Sequence, residues 1–347
     1  MDLHALRIDL LHQSATVRAA DADGVAEHEL KGGDFARLQE AAQPLLDWAH
    51  AHLDKALRTP ADATLGHIEL DALARRVRLG FLAEHSEPAQ PRSSRTPPAL
   101  RECEVDYGAV QGLLREAART AVRSVFPRQP EPSELSADER WERKYQTRSD
   151  GWELGRVPPP LERGIDAALR APELASAKAL ADVRAIVVGC GRGHEARLLA
   201  RRGVRVTALD IAPSAVRYVS EAAAREGLGD RLTVLQADLF TLAAEDPRHR
   251  GAYDLLTEHC VFCAIEPPRR DEYVQAAAAL VRPGGLLLGL FYCHGYPGGP
   301  PYGATPAEVK TRFGAAFDLI SEEVPPDSVI TRAGQELLLL LRRRPTA

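Results

Sequence analysis

An α/β fold built on a parallel sheet with helices on both faces is what the sequence predicts, and three stretches predict it. The β-branched run at 185–188 breaks into the alternating glycines Gly189, Gly191 and Gly193, an Ala- and Leu-rich helical pattern follows, and a second run at 204–209 ends at Asp210. Apolar runs bounded by turn residues on either side of a helix pattern read as one strand–helix–strand unit. Residues 232–236 add a third strand ending near Asp238, and 286–290, fed by the turn at 282–285, a fully buried one.

At 347 residues the chain exceeds one ordinary domain. It divides into an N-terminal module, 1–130, and a larger domain, 136–347, with the proline-punctuated linker at 127–132 between them. In the module, two partly alternating runs around Asp21–Gly24 suggest a hairpin. Asp34 can cap a helix carrying Phe35, Leu38, Ala42, Leu45, Ala49 and Leu53 on one stripe, which Pro44 should kink or split. Residues 68–83 and 107–126 read as two more amphipathic helices, separated by a Pro-, Ser- and Arg-rich strap at 86–100. The module is therefore expected to be mostly helical, of α+β type, and no internal repeat is legible in it.

In the larger domain, Ser136 and Glu139 fit a capping box opening a helix that puts Trp141 and Tyr145 one turn apart on one face. Residues 253–256 are a further strand, 271–281 and 305–313 helices, 317–322 a strand and 335–341 an apolar final strand.

Several classes are excluded. A formal net charge of −5 offers no basic field, so nucleic acid is not expected as a partner. No early stretch has the layout of a signal peptide, and no apolar run approaches the length of a membrane span, so the expectation is a soluble, cytoplasmic protein with no membrane partner. The five cysteines are scattered. Cys260 and Cys263 form a C-x-x-C without a second pair to complete a zinc site, so no metal is expected. Seven of the eleven histidines lie in the first module. His50 and His52, two apart on a helix, face different ways and cannot chelate together.

The glycines have a ligand-binding rationale. Gly189, Gly191 and Gly193 let the chain turn sharply and let a ligand approach its backbone. Asp210, at the end of the second strand, can take both hydroxyls of a ribose. The spacing is G-x-G-x-G rather than the dinucleotide G-x-G-x-x-G, which disfavours NAD and leaves an NAD-linked oxidoreductase the most distant reading.

These motifs resemble the class I S-adenosylmethionine-dependent methyltransferases, with their Rossmann-like seven-stranded sheet. The run Trp141-Glu-Arg-Lys-Tyr145, then Asp150-Gly-Trp152-Glu-Leu-Gly155-Arg-Val-Pro158, resembles more narrowly the thiopurine S-methyltransferase family and its thiol and halide branch. So do the glycine loop, the run at 261–267 and Gly298-Gly-Pro-Pro-Tyr302. The likeness covers 136 to the C-terminus and none of the first module.

The resemblance implies a final strand inserted antiparallel between the fifth and sixth strands. It implies S-adenosylmethionine as methyl donor, S-adenosylhomocysteine as product, and a small soft nucleophile as acceptor: a thiol, selenide, tellurite or halide. It carries donor contacts onto Trp141, Tyr145, Trp152, Gly189, Asp210, Asp238, Leu239 and His259, with Gly191, Gly193 and Ile211 beside them. The aromatic trio can cover a sulfonium by cation–π attraction. Asp238 is placed to reach an adenine amino group. The related plant enzymes have Tyr in place of His259 and Trp in place of Tyr145. An imidazole at 259 could also act catalytically, taking a proton from a thiol. Glu258, Cys260, Tyr292, His294 and Tyr302 are acceptor-side candidates by position. Two rival expectations are a tailoring enzyme whose peptide or carrier-bound substrate is recruited by 1–130, and a non-catalytic sensor of the donor.

Overall fold

The computed structural model describes residues 2–21, 24–56, 64–83, 99–125, 135–174 and 179–345. They fall into two compact units: Met1–Arg128 with Val329–Ala333, and Gln129–Ser328 with Gly334–Ala347. Among the described residues no helix is long and apolar enough to cross a membrane.

The first unit runs twice through the same order, three strands and a helix. The first pass is β1 (Asp2–Asp9), β2 (Ser14–Asp21), β3 (Gly24–Leu30) and α1 (Gly32–Ala56); the second is β4 (Thr64–Asp71), β5 (Arg76–Ala83), β6 (Ala99–Val105) and α2 (Tyr107–Val125). The six strands form one antiparallel sheet, β3-β2-β1-β4-β5-β6, whose central seam pairs β1 with β4. Along that seam Arg7 lies opposite Glu69, with Ala5 opposite Asp71 and Asp9 opposite His67 on either side. Apolar residues of the sheet and both helices share one core, to which Ile330 and Ala333 of the 329–333 segment also belong.

Three expectations for this module are corrected. Residues 68–83, read as a helix, are most of the β4–β5 hairpin. The buried residues Ile68, Leu70, Val77, Leu79 and Phe81 sit two apart on each side of a turn at 72–75. Leu73 and Ala74 in that turn hid the break from a helical reading. The module is thus six strands with two helices rather than mostly helical, and it contains a structural repeat that residue identities do not announce. Helix α1 also runs through Pro44 unbroken. Pro44 is exposed, so water can serve the carbonyl it leaves unbonded, while Leu45, Leu46 and Ala49 hold the helix on the core. The strap at 86–100 lies almost wholly outside the described residues, and the linker at 127–132 wholly so.

The second unit is the predicted α/β sheet. Its strands are β7 (Arg184–Val188), β8 (Arg205–Asp210), β9 (Leu232–Gln236), β10 (Tyr253–His259), β11 (Val281–Tyr292), β12 (Phe317–Glu323) and β13 (Glu336–Arg343), in the order β12-β13-β11-β10-β7-β8-β9. The final strand, β13, is antiparallel to both neighbours, as expected; β7 to β11 are parallel. Strand residues alternate between two apolar layers: Leu286, Leu288 and Leu290 of β11 enter one, Leu287 and Phe291 the other. Helices α4 (Pro159–Ala168), α5 (His194–Arg201) and α6 (Pro213–Arg225) cover the first layer, and α7 (Leu239–Glu245), α8 (Arg270–Leu280) and α9 (Pro306–Phe313) the second.

From β7 the chain moves to β8 on one side and later returns to β10 on the other. The order of the strands therefore reverses at β7, and a crevice opens beyond the carboxyl ends of β7 and β10, where open α/β sheets bind ligands.

Candidate active site

The glycine loop leaving β7 occupies one wall of that crevice. Gly189, Gly191 and Gly193 all have positive φ, at 52°, 54° and 71°. Side chains there would also collide: a Cβ at 189 would lie 2.7 Å from Val261 Cγ2 and one at 193 2.7 Å from Val219 Cγ2. At 191 a Cβ would instead point at the Tyr145 hydroxyl, 3.4 Å away, and Trp152 Nε1, 3.8 Å away. Gly189 and Gly193 thus serve packing, whereas a Cβ at 191 would fill the gap beneath the aromatic groups at ordinary contact distance.

Asp210, at the end of β8, is buried and holds the loop. Its Oδ2 accepts from the Gly191 N–H at 2.8 Å and its Oδ1 from the Ala212 N–H at 2.9 Å. Burial pushes its carboxyl up to about 6 against the pull of those backbone donors, the Ile211 N–H among them. Three backbone donors leave one of the carboxylate's four lone-pair sites for a further donor.

The aromatic segment closes over the loop. Helix α3 (Ala137–Gln146) starts in the expected capping box of Ser136 and Glu139. Glu142 seats it on the start of α6, accepting from the Ser214 N–H at 2.8 Å and hydroxyl at 2.6 Å. Trp152 stands edge-on to both Trp141 and Tyr145, with ring centroids 5.3 Å and 5.6 Å away. Two buried carboxylates, unnoticed in the sequence, clamp this segment to the loop. Asp150 Oδ2 accepts from Arg192 Nη2 at 2.8 Å, and Glu153 Oε1 lies 2.7 Å from His194 Nε2. Burial opposes ionisation of Glu153, yet the His194 hydrogen bond and charge bring it down to about 2.

The other wall is the end of β10. His259 Nδ1 lies 2.9 Å from Glu195 Oε1, a buried carboxylate in the first turn of α5. Burial by itself lowers the imidazole's affinity for a proton, but Cys260 and Glu195 outweigh it and hold His259 well above the ordinary histidine range. Cys260 takes a left-handed φ of 63°, and Glu258 supports that turn, its Oε1 accepting from the Val261 and Phe262 N–H groups at 2.7 Å each. Burial pushes the Glu258 carboxyl up to about 8.

The remaining sequence candidates are spread more widely. Asp238 caps α7, its Oδ1 accepting from the Phe240 N–H at 2.9 Å, and Leu239 begins that helix; both are half-buried. Tyr292 and His294 form a ring pair 4.6 Å apart, and the Tyr302 N–H donates to the Cys263 carbonyl at 2.6 Å, tying the Gly-Gly-Pro-Pro-Tyr run to the C-x-x-C turn. Among the described residues no three His, Cys, Asp or Glu side chains gather to hold a metal. The cleft between the walls is lined by Trp152 and Arg156, the glycine loop, Glu195, Thr257 and His259.

Glu195 and the Asp150–Glu153 clamp are the residues sequence reasoning missed. Glu195 immediately follows the glycine loop, and that placement was the one available signal.

Comparison with known proteins adds to this geometry. The model of the thiopurine S-methyltransferase family matches residues 136–336. Thiocyanate methyltransferase 1 of Brassica oleracea is 31% identical over 202 residues, covering 57% of this chain and 82% of that protein. Thiopurine S-methyltransferase of Pseudomonas fluorescens (strain SBW25) is 32% identical over 148 residues, covering 40% and 68%. Among solved structures, the Burkholderia thailandensis 1,6-didemethyltoxoflavin-N1-methyltransferase with bound S-adenosylhomocysteine superposes with a TM-score of 0.45 at 19% identity, over 62% of this chain and 94% of that one.

Proposed function

The chain belongs to the thiopurine S-methyltransferase family, and from that premise we propose that its second unit methylates the sulfur of a small thiol or sulfur-bearing anion at the β7–β10 crevice. It is an S-adenosylmethionine-dependent methyltransferase acting on a small molecule. The observation that carries the proposal is the convergence of the glycine loop, Asp210 and the aromatic segment at the carboxyl edge of the sheet.

The residues present fit the donor. A side chain at 191 would fill the gap below Tyr145 and Trp152, and Asp210 keeps acceptor capacity after serving the loop. When bound, the donor supplies a methyl group made electrophilic by its sulfonium. In our reading Asp210 accepts from the ribose hydroxyls, Ile211 and Leu239 pack on the nucleoside and Asp238 accepts from the adenine amino group. Trp141, Tyr145 and Trp152 cover the donor and keep water out, with the Tyr145 hydroxyl and Trp152 Nε1 nearest the loop. The wall at Gly189 and Gly193 stays rigid because both are packed against valines. Direct displacement asks the protein mainly to hold two reactants in line, so positioning outweighs acid–base work.

Labelled methyl donor, offered with a panel of thiols, selenide, tellurite, thiocyanate and halides, tests the assignment. Label is expected in a sulfur acceptor; transfer only to oxygen or nitrogen would overturn it. We also propose residues 1–130 as a separate module without a part in the transfer. A chain beginning at residue 132 should keep its activity on small thiols once Ile330, which belongs to the first unit's core, is made Ser; failure to fold would overturn that division.

A further inference from the structure

We infer that Glu195 is a positioning residue that fixes His259 as a standing cation on the acceptor wall, so that the enzyme takes its acceptor as an anion. The inference deepens the transfer reading above and rests on it.

Geometry carries the argument. Glu195 comes from the first turn of α5 and His259 from the end of β10, 64 positions later, yet their side chains meet at 2.9 Å in the cleft lining. Both are largely withdrawn from water, with side chains 9% and 15% exposed, so the pair is weakly screened. A carboxylate on Nδ1 selects the ring orientation and the protonated form. On this reading His259 holds the acceptor as a cation instead of taking its proton as a base.

The surrounding charges leave this role to His259. From the glycine loop and α5, Cys190 is buried and its thiol is pushed well above the usual range, chiefly by burial, while Arg192 and His194 are engaged by Asp150 and Glu153. On β10, the Glu258 carboxyl turns to the backbone behind the cleft, and Cys260 raises the proton affinity of His259 more strongly than Glu195 does, so Glu195 sets part of that affinity and the orientation of the ring. Arg156 lines the cleft from the aromatic segment as a permanent cation. It attracts anions as well, so the component of anion binding that moves when Glu195 is changed is the one that reports His259.

A cation at this wall binds a permanently anionic acceptor directly and draws a thiol into its thiolate form, the thiol proton leaving to water before transfer. The lone pair of the acceptor sulfur forms the new bond to the methyl carbon as the carbon–sulfonium bond breaks, and the positive and negative charges disappear together. No base is consumed.

The test uses the full-length protein as wild type, Glu195→Gln and Glu195→Asp, with thiocyanate and 2-mercaptoethanol as acceptors across pH. The KM for thiocyanate should rise as His259 loses its proton. Glu195→Gln should raise that KM on the order of tenfold, the equivalent of one unit of lost proton affinity, and move the rise to lower pH. Glu195→Asp should recover part of the loss, and affinity for S-adenosylhomocysteine should move less than the acceptor KM. A thiocyanate profile unmoved by Glu195→Gln would overturn the inference. So would an effect on 2-mercaptoethanol with none on thiocyanate, the mark of a base. If the wild type methylates no acceptor, the transfer reading fails. Nitrogen-15 NMR of the His259 ring still decides the present one: its titration midpoint should fall in Glu195→Gln, and an unmoved midpoint refutes it. Should Glu195→Gln not fold, His259→Gln, which keeps a polar planar group without charge, should show the same loss of thiocyanate binding, and its retention would refute the role.

Discussion

Across the crevice, the β7 wall presents backbone in left-handed turns with ion pairs locked around it, whereas the β10 wall presents side chains on a turn anchored by a buried carboxyl. On the first wall the buried groups of the clamp are paired: Arg192 with Asp150, His194 with Glu153. On the second, Glu258 Oε2 has no hydrogen-bond partner among the described residues, Cys260 sits in a conformation that side chains disfavour, and His259 keeps a charge. A surface made of N–H groups and glycines can be shaped once for a donor that never varies. A surface made of titratable side chains can be retuned for different acceptors.

The largest effect should come from breaking the first wall. Arg192→Met leaves Asp150, 3% exposed, as an uncompensated buried charge, and a loss of about 3–5 kcal/mol is expected in denaturant titration. A loss below about 1 kcal/mol would mean that this wall is not held by its ions. Asp210→Ala removes an acceptor and orphans the Gly191 and Ala212 N–H groups. Roughly 3 kcal/mol, on the order of a hundredfold in affinity for S-adenosylhomocysteine, should vanish in calorimetry.

Acidity separates Glu153 of the first wall from Glu258 of the second by sign. Glu153 is lowered from 4.5 to about 2, so its contribution, roughly 3 kcal/mol, is complete above pH 4.5 and fades as pH falls toward 2. Glu258 is raised from 4.5 to about 8, so its contribution is complete below pH 4.5 and fades as pH rises toward 8. The Tm deficit of Glu153→Gln should therefore shrink on acidification below 4.5, while Glu258→Gln should gain on wild type as pH climbs from 4.5 to 8. Asp210, raised from 3.8 to about 6, titrates in both proteins and cancels in that difference. Parallel curves for either variant would remove the distinction. The smallest effect belongs to Cys260→Gly. Releasing the positive φ should add about 1 kcal/mol, roughly 3 °C in Tm for a domain of this size; a fall would show that contacts of the thiol outweigh the strain.

What could be read from residues alone follows the same line. The parallel strands were legible because burial on both faces makes them continuous apolar runs, and the loop because its glycines are forced by φ. The capping box of Ser136 and Glu139 was legible because it is local. The pairs Arg192–Asp150 and Glu195–His259 were not, since a partner 42 or 64 positions away is chosen by the fold and leaves no periodic trace. The β4–β5 hairpin failed for a different reason, helix-forming residues in its turn.

The seam of the first unit has a consequence of its own. Arg7 facing Glu69, flanked symmetrically by Ala5–Asp71 and Asp9–His67, is the arrangement that a two-fold axis imposes on two copies of one strand. A polypeptide of half this size, ending after α1, would carry a self-complementary edge and should dimerise through it. The six-stranded sheet thus sets two like halves, three strands and a helix each, edge to edge across β1 and β4.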